Sequence, residues 1–270
     1  NVAVGTSALT ANTSGTDNVA VGDAAGDAVT TGSNNTLIGD NAAGATTTGS
    51  SNTAIGADAL LLNSTASYNT AIGNDAMAAN TTGAENTAVG WDALTANTTA
   101  SNNVAVGTTA LGANTTGTDN VAVGAYALDA NTTTSDNTAI GDNALGANTA
   151  ANNTAVGSSA LLANTTGNLN VAVGYNAGLA VTTGIRNTIM GGRAGDALID
   201  ADYNIAMGTD ALTADTYGSN SVAIGADALA TQNFTTATDT YNTAVGHNAG
   251  KAVTTGIYNT LIGGLAGDAF

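Results

Sequence analysis

Asn1-Val2-Ala3-Val4-Gly5 returns unchanged as Asn18-Val19-Ala20-Val21-Gly22, and one step later as Asn35-Thr36-Leu37-Ile38-Gly39. The pattern continues to the C-terminus in sixteen units. Thirteen of the fifteen spacings are 17 residues; one is 16 (137 to 153) and one is 21 (221 to 242). A fixed period over a whole chain is the signature of a repeat architecture. No linker or shift of composition interrupts it, so residues 1–270 read as a single repeat domain.

Alignment of the units against one another shows what each position tolerates. Position 1 is Asn in every unit (Asn1, Asn18, Asn35 and onward) except at Ser221. Position 3 is Ala in thirteen units, and position 4 is always Val, Ile or Met. Position 5 is Gly in all sixteen (Gly5, Gly22, Gly39, Gly56, Gly73, Gly90 and their successors), and position 8 is Ala in all sixteen (Ala8, Ala25, Ala42 and onward). Position 9 is usually Leu but is Gly in five units, and a polar stretch such as Asn80-Thr81-Thr82-Gly83 closes most units.

Seventeen residues cannot hold a strand, a three-turn helix and two connections. The β-branched run before a constant glycine predicts a short strand ending in a turn where a side chain would clash or φ is positive. Asn-Thr-Thr-Gly predicts a second turn. The segment between, such as Ser7–Ala11, is then expected to be a second short strand. Each unit becomes one coil of a parallel β-solenoid, all-β and flattened rather than triangular. With equivalent residues about 4.8 Å apart, sixteen coils would make a rod roughly 75 Å long. The longer unit, with Thr231-Gln232-Asn233-Phe234, predicts a loop lengthened on the outside of one coil.

Alternation puts positions 2 and 4 on one face of the strand and position 3 on the other. A strand apolar or small on both faces is expected to be covered on both. One cover comes from the same coil, and the other predicts association of chains. Internal covariation supports stacking. The units holding Gly26, Gly178 and Gly250 are each followed by a unit with a large residue at position 3, namely Leu37, Ile189 and Leu261, the only three in the chain. Side-chain volume lost in one coil is expected to be filled from the next.

Asn220-Ser-Val-Ala-Ile-Gly225 and variants such as Asn1–Gly5 resemble the head repeat of trimeric autotransporter adhesins, the YadA-like head; similar repeats occur in phage tail-fibre and other extracellular fibre proteins. The resemblance covers the whole chain. It implies a left-handed parallel β-roll, a homotrimer, and display on a cell surface or virion fibre for attachment to a host-surface protein or glycan.

Composition narrows function. The net charge is −17, with Arg186, Arg193 and Lys251 the only Lys or Arg residues, which argues against nucleic acid and anionic membrane as partners. No apolar run is long enough for a membrane-spanning helix. There is no cysteine and one histidine, His247, so neither a thiolate metal site nor a Ser-His-Asp relay is expected. No enzyme activity, cofactor or metal is expected. Asp58, Asp75 and Asp92 fall at position 7 of successive coils, where stacked carboxylates would invite Ca²⁺, but the glycine-rich calcium-roll pattern is missing.

The constant Gly, Ala and Asn positions are read as structural, the asparagines as backbone caps at the coil edge. Candidate ligand contacts are Trp91, Tyr126 and Tyr175 at positions 6 and 7, with Arg186 and Arg193. Tyr68, Tyr203, Tyr241 and Tyr258 fall just before a strand. Such rings can stack on sugar faces. The arginines are expected to pair with Asp196, Asp200 or Asp202, or between chains. Paired threonines such as Thr81-Thr82 suggest an ice-binding ladder, although neighbours in a strand point to opposite faces. The reading is therefore a non-enzymatic extracellular fibre segment, with a monomeric carbohydrate- or ice-binding solenoid as the alternative. The last unit stops at Phe270, and an uncapped coil edge predicts flanking domains or end-to-end stacking into a filament.

Overall fold

The structure is a computed structural model and describes residues 1–268. Phe270, on which the expectation about the chain end rests, lies outside them. The chain is an all-β parallel β-solenoid, and no helix among the described residues is long and apolar enough to cross a membrane. It divides into two compact units, Asn1–Asp136 and Asn137–Phe270, and the division falls between coils.

Within the first unit, β1 (Val2–Val4) to β8 (Val121–Val123) each occupy positions 2–4 of a coil. Neighbours pair parallel and in register, as Val2↔Val19 and Val104↔Val121 show. In the second unit the strands from Thr138–Ile140 to Thr260–Ile262 do the same. The odd-length coils keep this register. In the 16-residue coil the missing residue comes out of the polar turn. Asn148 Nδ2 reaches the carbonyl of Ala150, two residues on (2.7 Å), where Asn80 reaches Gly83, three on (3.0 Å).

The 21-residue coil is pinned at its turn before it lengthens. Gln232 keeps the ordinary position-12 turn bond to Leu229 (3.1 Å) and is buried, as is Phe234. The extra residues follow, and Thr238–Asp239 pair with Gly218–Ser219 as a small second sheet. The segment is therefore anchored inward at Gln232 and Phe234, while Thr235, Thr236 and Ala237 beyond them are exposed on the outside of the coil. Buried Asp215 holds it, accepting from Gln232 Nε2 (2.6 Å) and the Phe234 amide (3.0 Å).

The constant glycine has two independent causes. At Gly90 φ is +135°, and a Cβ there would stand 2.6 Å from the carbonyl oxygen of Gly107 one coil on. Only glycine accepts that backbone, and only glycine lets the next coil approach so closely.

The second strand expected after this glycine is absent; the segment is a run of overlapping turns. In the coil starting at Asn103, Ala110 N bonds Gly107 O (3.3 Å), Gly112 N bonds Thr109 O (3.1 Å) and Asn114 N bonds Leu111 O (3.2 Å). Thr109 and Leu111 lie in the left-handed region at φ 55° and 53°. A left-handed non-glycine residue costs on the order of 1 kcal/mol. The cost is offset because the alternation turns backbone groups toward neighbouring coils: Thr109 N bonds Trp91 O (2.9 Å) and Leu111 N bonds Ala127 O (2.9 Å).

The core between strand and turns is narrow. From the second coil to the fifteenth the position-3 and position-8 alanines and the position-9 leucines, such as Leu94, Leu111 and Leu128, are fully buried. A Cβ on Gly26 would meet Leu37 Cδ1 at 2.4 Å, and one on Gly178 would meet Ile189 Cδ1 at 2.9 Å. Leu37 and Ile189 thus fill the space that those glycines leave.

Candidate functional site

Two polar ladders run through the interior, and they decide which asparagines are free for binding. Asn18 N donates to Asn1 Oδ1 (2.9 Å), Asn35 N to Asn18 Oδ1 (3.0 Å), and so on from coil to coil. Asn18 and Asn35 are fully buried, so these caps of backbone groups in neighbouring coils form an interior ladder. The second ladder, at position 12, escapes the sequence reading, which took Asn-Thr-Thr-Gly only for a turn. Asn97 Nδ2 donates to Asn80 Oδ1 (2.8 Å), and Asn86 and Asn97 both donate to Ala100 O (2.8 and 3.1 Å). The available signal was the recurrence of Asn at position 12, as in Asn63, Asn80, Asn97 and Asn114. Where the next coil has Val181 on this rung, Asn164 Oδ1 is left without a partner. These amides hold backbone in place and are closed to ligands.

The surface rows are what remains. Position 4 faces outward in every coil: Val21, Ile38 and Ile72 in the first unit and Ile140 and Met190 in the second are each a little over a third exposed. Beside the strand, positions 6 and 7 carry Trp91, Tyr126 and Tyr175, all exposed. Arg193, at position 7, does not pair with Asp196, Asp200 or Asp202. It grips Asp210 of the next coil with both arms, Nε to Oδ1 at 2.8 Å and Nη2 to Oδ2 at 2.7 Å. That bond raises the pKa of Arg193 above its ordinary value. Lys251 lies 3.4 Å from Asp227.

Arg186, at position 17, pairs with no carboxylate among the described residues. Its Cζ lies 5.3 Å over the ring of Tyr203 and its Nη1 donates to the Tyr203 hydroxyl (2.6 Å). On the same row Tyr241 and Tyr258 stack, with centroids 5.5 Å apart and planes 10° from parallel. Of the candidate contacts, Tyr175 and Arg193 are joined by proximity, whereas Arg186 belongs to another row. Trp91 and Tyr126 lie in the first unit, two coils apart.

The carboxylate row is mild. Burial, and then the charge of Asp75, raise the pKa of Asp92. Asn41 Nδ2 donates to Asp58 (3.0 Å), and no group of three or more acids or histidines suited to a metal occurs among the described residues. The paired threonines divide their work. Thr81 and Thr98 spend their hydroxyls on carbonyls of the next coil (2.9 and 3.1 Å), while Thr82 and Thr99 stay exposed. His247 is exposed. Comparison with protein-family models, curated proteins and solved structures gives no match.

Proposed function

We propose that the chain is a non-enzymatic segment of an extracellular fibre, displayed on a cell or virion surface, in which three copies associate as a left-handed β-roll and present their variable rows for attachment. The observation that carries this reading is the outward row at position 4. Every coil places a Val, Ile or Met there, and none of the regular interior coils covers it completely. A solvent-facing strand position is ordinarily polar. Fully burying one aliphatic side chain is worth about 1.5–3 kcal/mol, and these residues have roughly a third of that still to gain. One such contact is too weak to hold two chains together. The same contact repeated in each of eight coils per unit is not, and it suits a second copy whose row has the same spacing.

The number three follows from the likeness to adhesin heads. Attachment to a host-surface protein or glycan, and end-to-end assembly, belong to the same reading. The test replaces the row in mid-unit, with Ile55→Asp, Ile72→Asp and Val89→Asp together. Position 4 lies outside the coil core, so the variant is expected to keep its β-rich circular dichroism while its mass falls to that of one chain. An unchanged mass would refute the assignment of this face.

A further inference from the structure

Position 17 takes a left-handed backbone in both units, and its occupants differ between them. The first unit fills it mainly with Asn and Asp, such as Asp17, Asn34 and Asn102, the non-glycine types that best tolerate positive φ. The second keeps Asn152 and Asn220 but otherwise fills it with Leu169, Arg186, Tyr203, Tyr241 and Tyr258, at φ between 50° and 60°. Local backbone preference does not select these side chains. Nor does the core: Tyr203 and Tyr241 are about half exposed and Tyr258 is 69% exposed.

The rings are nevertheless held in place. Arg186 clamps Tyr203 through its face and its hydroxyl, and Tyr241 and Tyr258 stack on each other. Side chains fixed before a ligand arrives lose little entropy when it binds. Between the two aromatic groups stands Asn220, whose amide donates to Asp239 (2.8 Å).

We propose that this row is a binding site for a neutral polysaccharide chain lying along the stack of coils. Exposed ring surface suits the C–H faces of pyranose rings, and Asn220 and Asp239 offer a donor and acceptors for hydroxyls. Successive rungs repeat about every 4.8 Å, a spacing that a linear sugar chain can follow. The net charge of −17 disfavours polyanionic glycans. Rings interleaved with hydrogen-bonding groups along a line fit a sugar chain better than an apolar protein patch. The site names the partner of the attachment function proposed above and rests on that reading.

The test is native gel electrophoresis of the full chain in gels containing mixed-linkage β-glucan, galactomannan, xylan or, as the acidic control, polygalacturonate. The wild type is expected to be retarded by at least one neutral polysaccharide and not by the acidic one. The variant Y203A/Y241A/Y258A should need at least tenfold more of it for the same retardation, and Tyr68→Ala, in the first unit, should behave as wild type. Absence of retardation in every neutral gel overturns the proposal, as does retardation that survives the triple substitution. Mass by light scattering on the same samples keeps the two readings apart. A triple variant that loses retardation at unchanged mass supports the sugar site. One whose mass also falls assigns the row to contact between copies and overturns it.

Discussion

Gly90 carries the sharpest prediction about the fold, because its two causes can be separated by substitution elsewhere. In Gly90→Ala the new Cβ would meet the carbonyl oxygen and carbon of Gly107 at 2.6 and 2.7 Å, with φ at +135°. Restoring ordinary contact at about 3.4 Å needs the coils to part by roughly 0.8 Å there. The bond from Gly107 N to Val89 O, now 2.8 Å, would stretch out of range, and its neighbours would weaken. One or two lost bonds at about 1 kcal/mol each, added to about 1–3 kcal/mol of backbone strain, give a loss on the order of 2–5 kcal/mol. Gly263 has φ +126° and nothing within 4 Å of its Cβ, so Gly263→Ala isolates the strain, about 1–3 kcal/mol. Gly192 has open space and no positive φ, and Gly192→Ala should stabilise by about 0.4–1 kcal/mol through the unfolded chain. Equilibrium guanidinium denaturation followed by circular dichroism ranks the three. Equal midpoints for Gly90→Ala and Gly192→Ala would refute the reasoning.

Two further predictions concern interior polar groups and pH. Asn86→Ala removes the acceptor of the Asn103 amide (2.9 Å) and one donor to Ala100 O (2.8 Å), both buried; it should cost about 3 kcal/mol in the same denaturation assay, and a loss under about 1 kcal/mol would show that the ladder is dispensable. Burial raises the folded-state pKa of Asp129 above 3.8, so the folded chain holds this proton more tightly than the unfolded one. Its unfavourable contribution is therefore complete at neutral pH and fades as pH falls through the raised value toward 3.8. Asp129→Asn should melt higher than wild type at pH 7, with the difference closing toward pH 4; a variant that melts lower at pH 7 would contradict this.

What could be read from sequence follows from how directly each residue reports its neighbours. The constant glycine and the Gly26–Leu37 exchange are legible because a missing side chain leaves a trace in the next coil. The wall after the glycine is not. Thr109 and Leu111 sit in left-handed conformations that neither residue type advertises, and they are held there by bonds to adjacent coils rather than by local preference. Asn97 reads as a turn former because Asn accepts left-handed conformations, while its burial depends on Asn80 and Ala100 being in reach. The arginines illustrate the same limit: both were expected on nearby carboxylates, yet Arg186 took the ring of Tyr203 and Arg193 took Asp210, partners fixed by the 17-residue stacking and not by charge alone. Among the surface residues, Trp91, Tyr126 and Tyr175 are exposed at variable positions, but the rows that bring aromatic groups together are visible only once coils are stacked.

The solenoid is closed inside by Asn ladders and carries an outward aliphatic row, and one measurement tests most directly the proposal that further copies cover that row. Light scattering on the purified full chain should give three times the 25.8 kDa of a single chain. A stable species of single-chain mass with a well-folded β spectrum would contradict it.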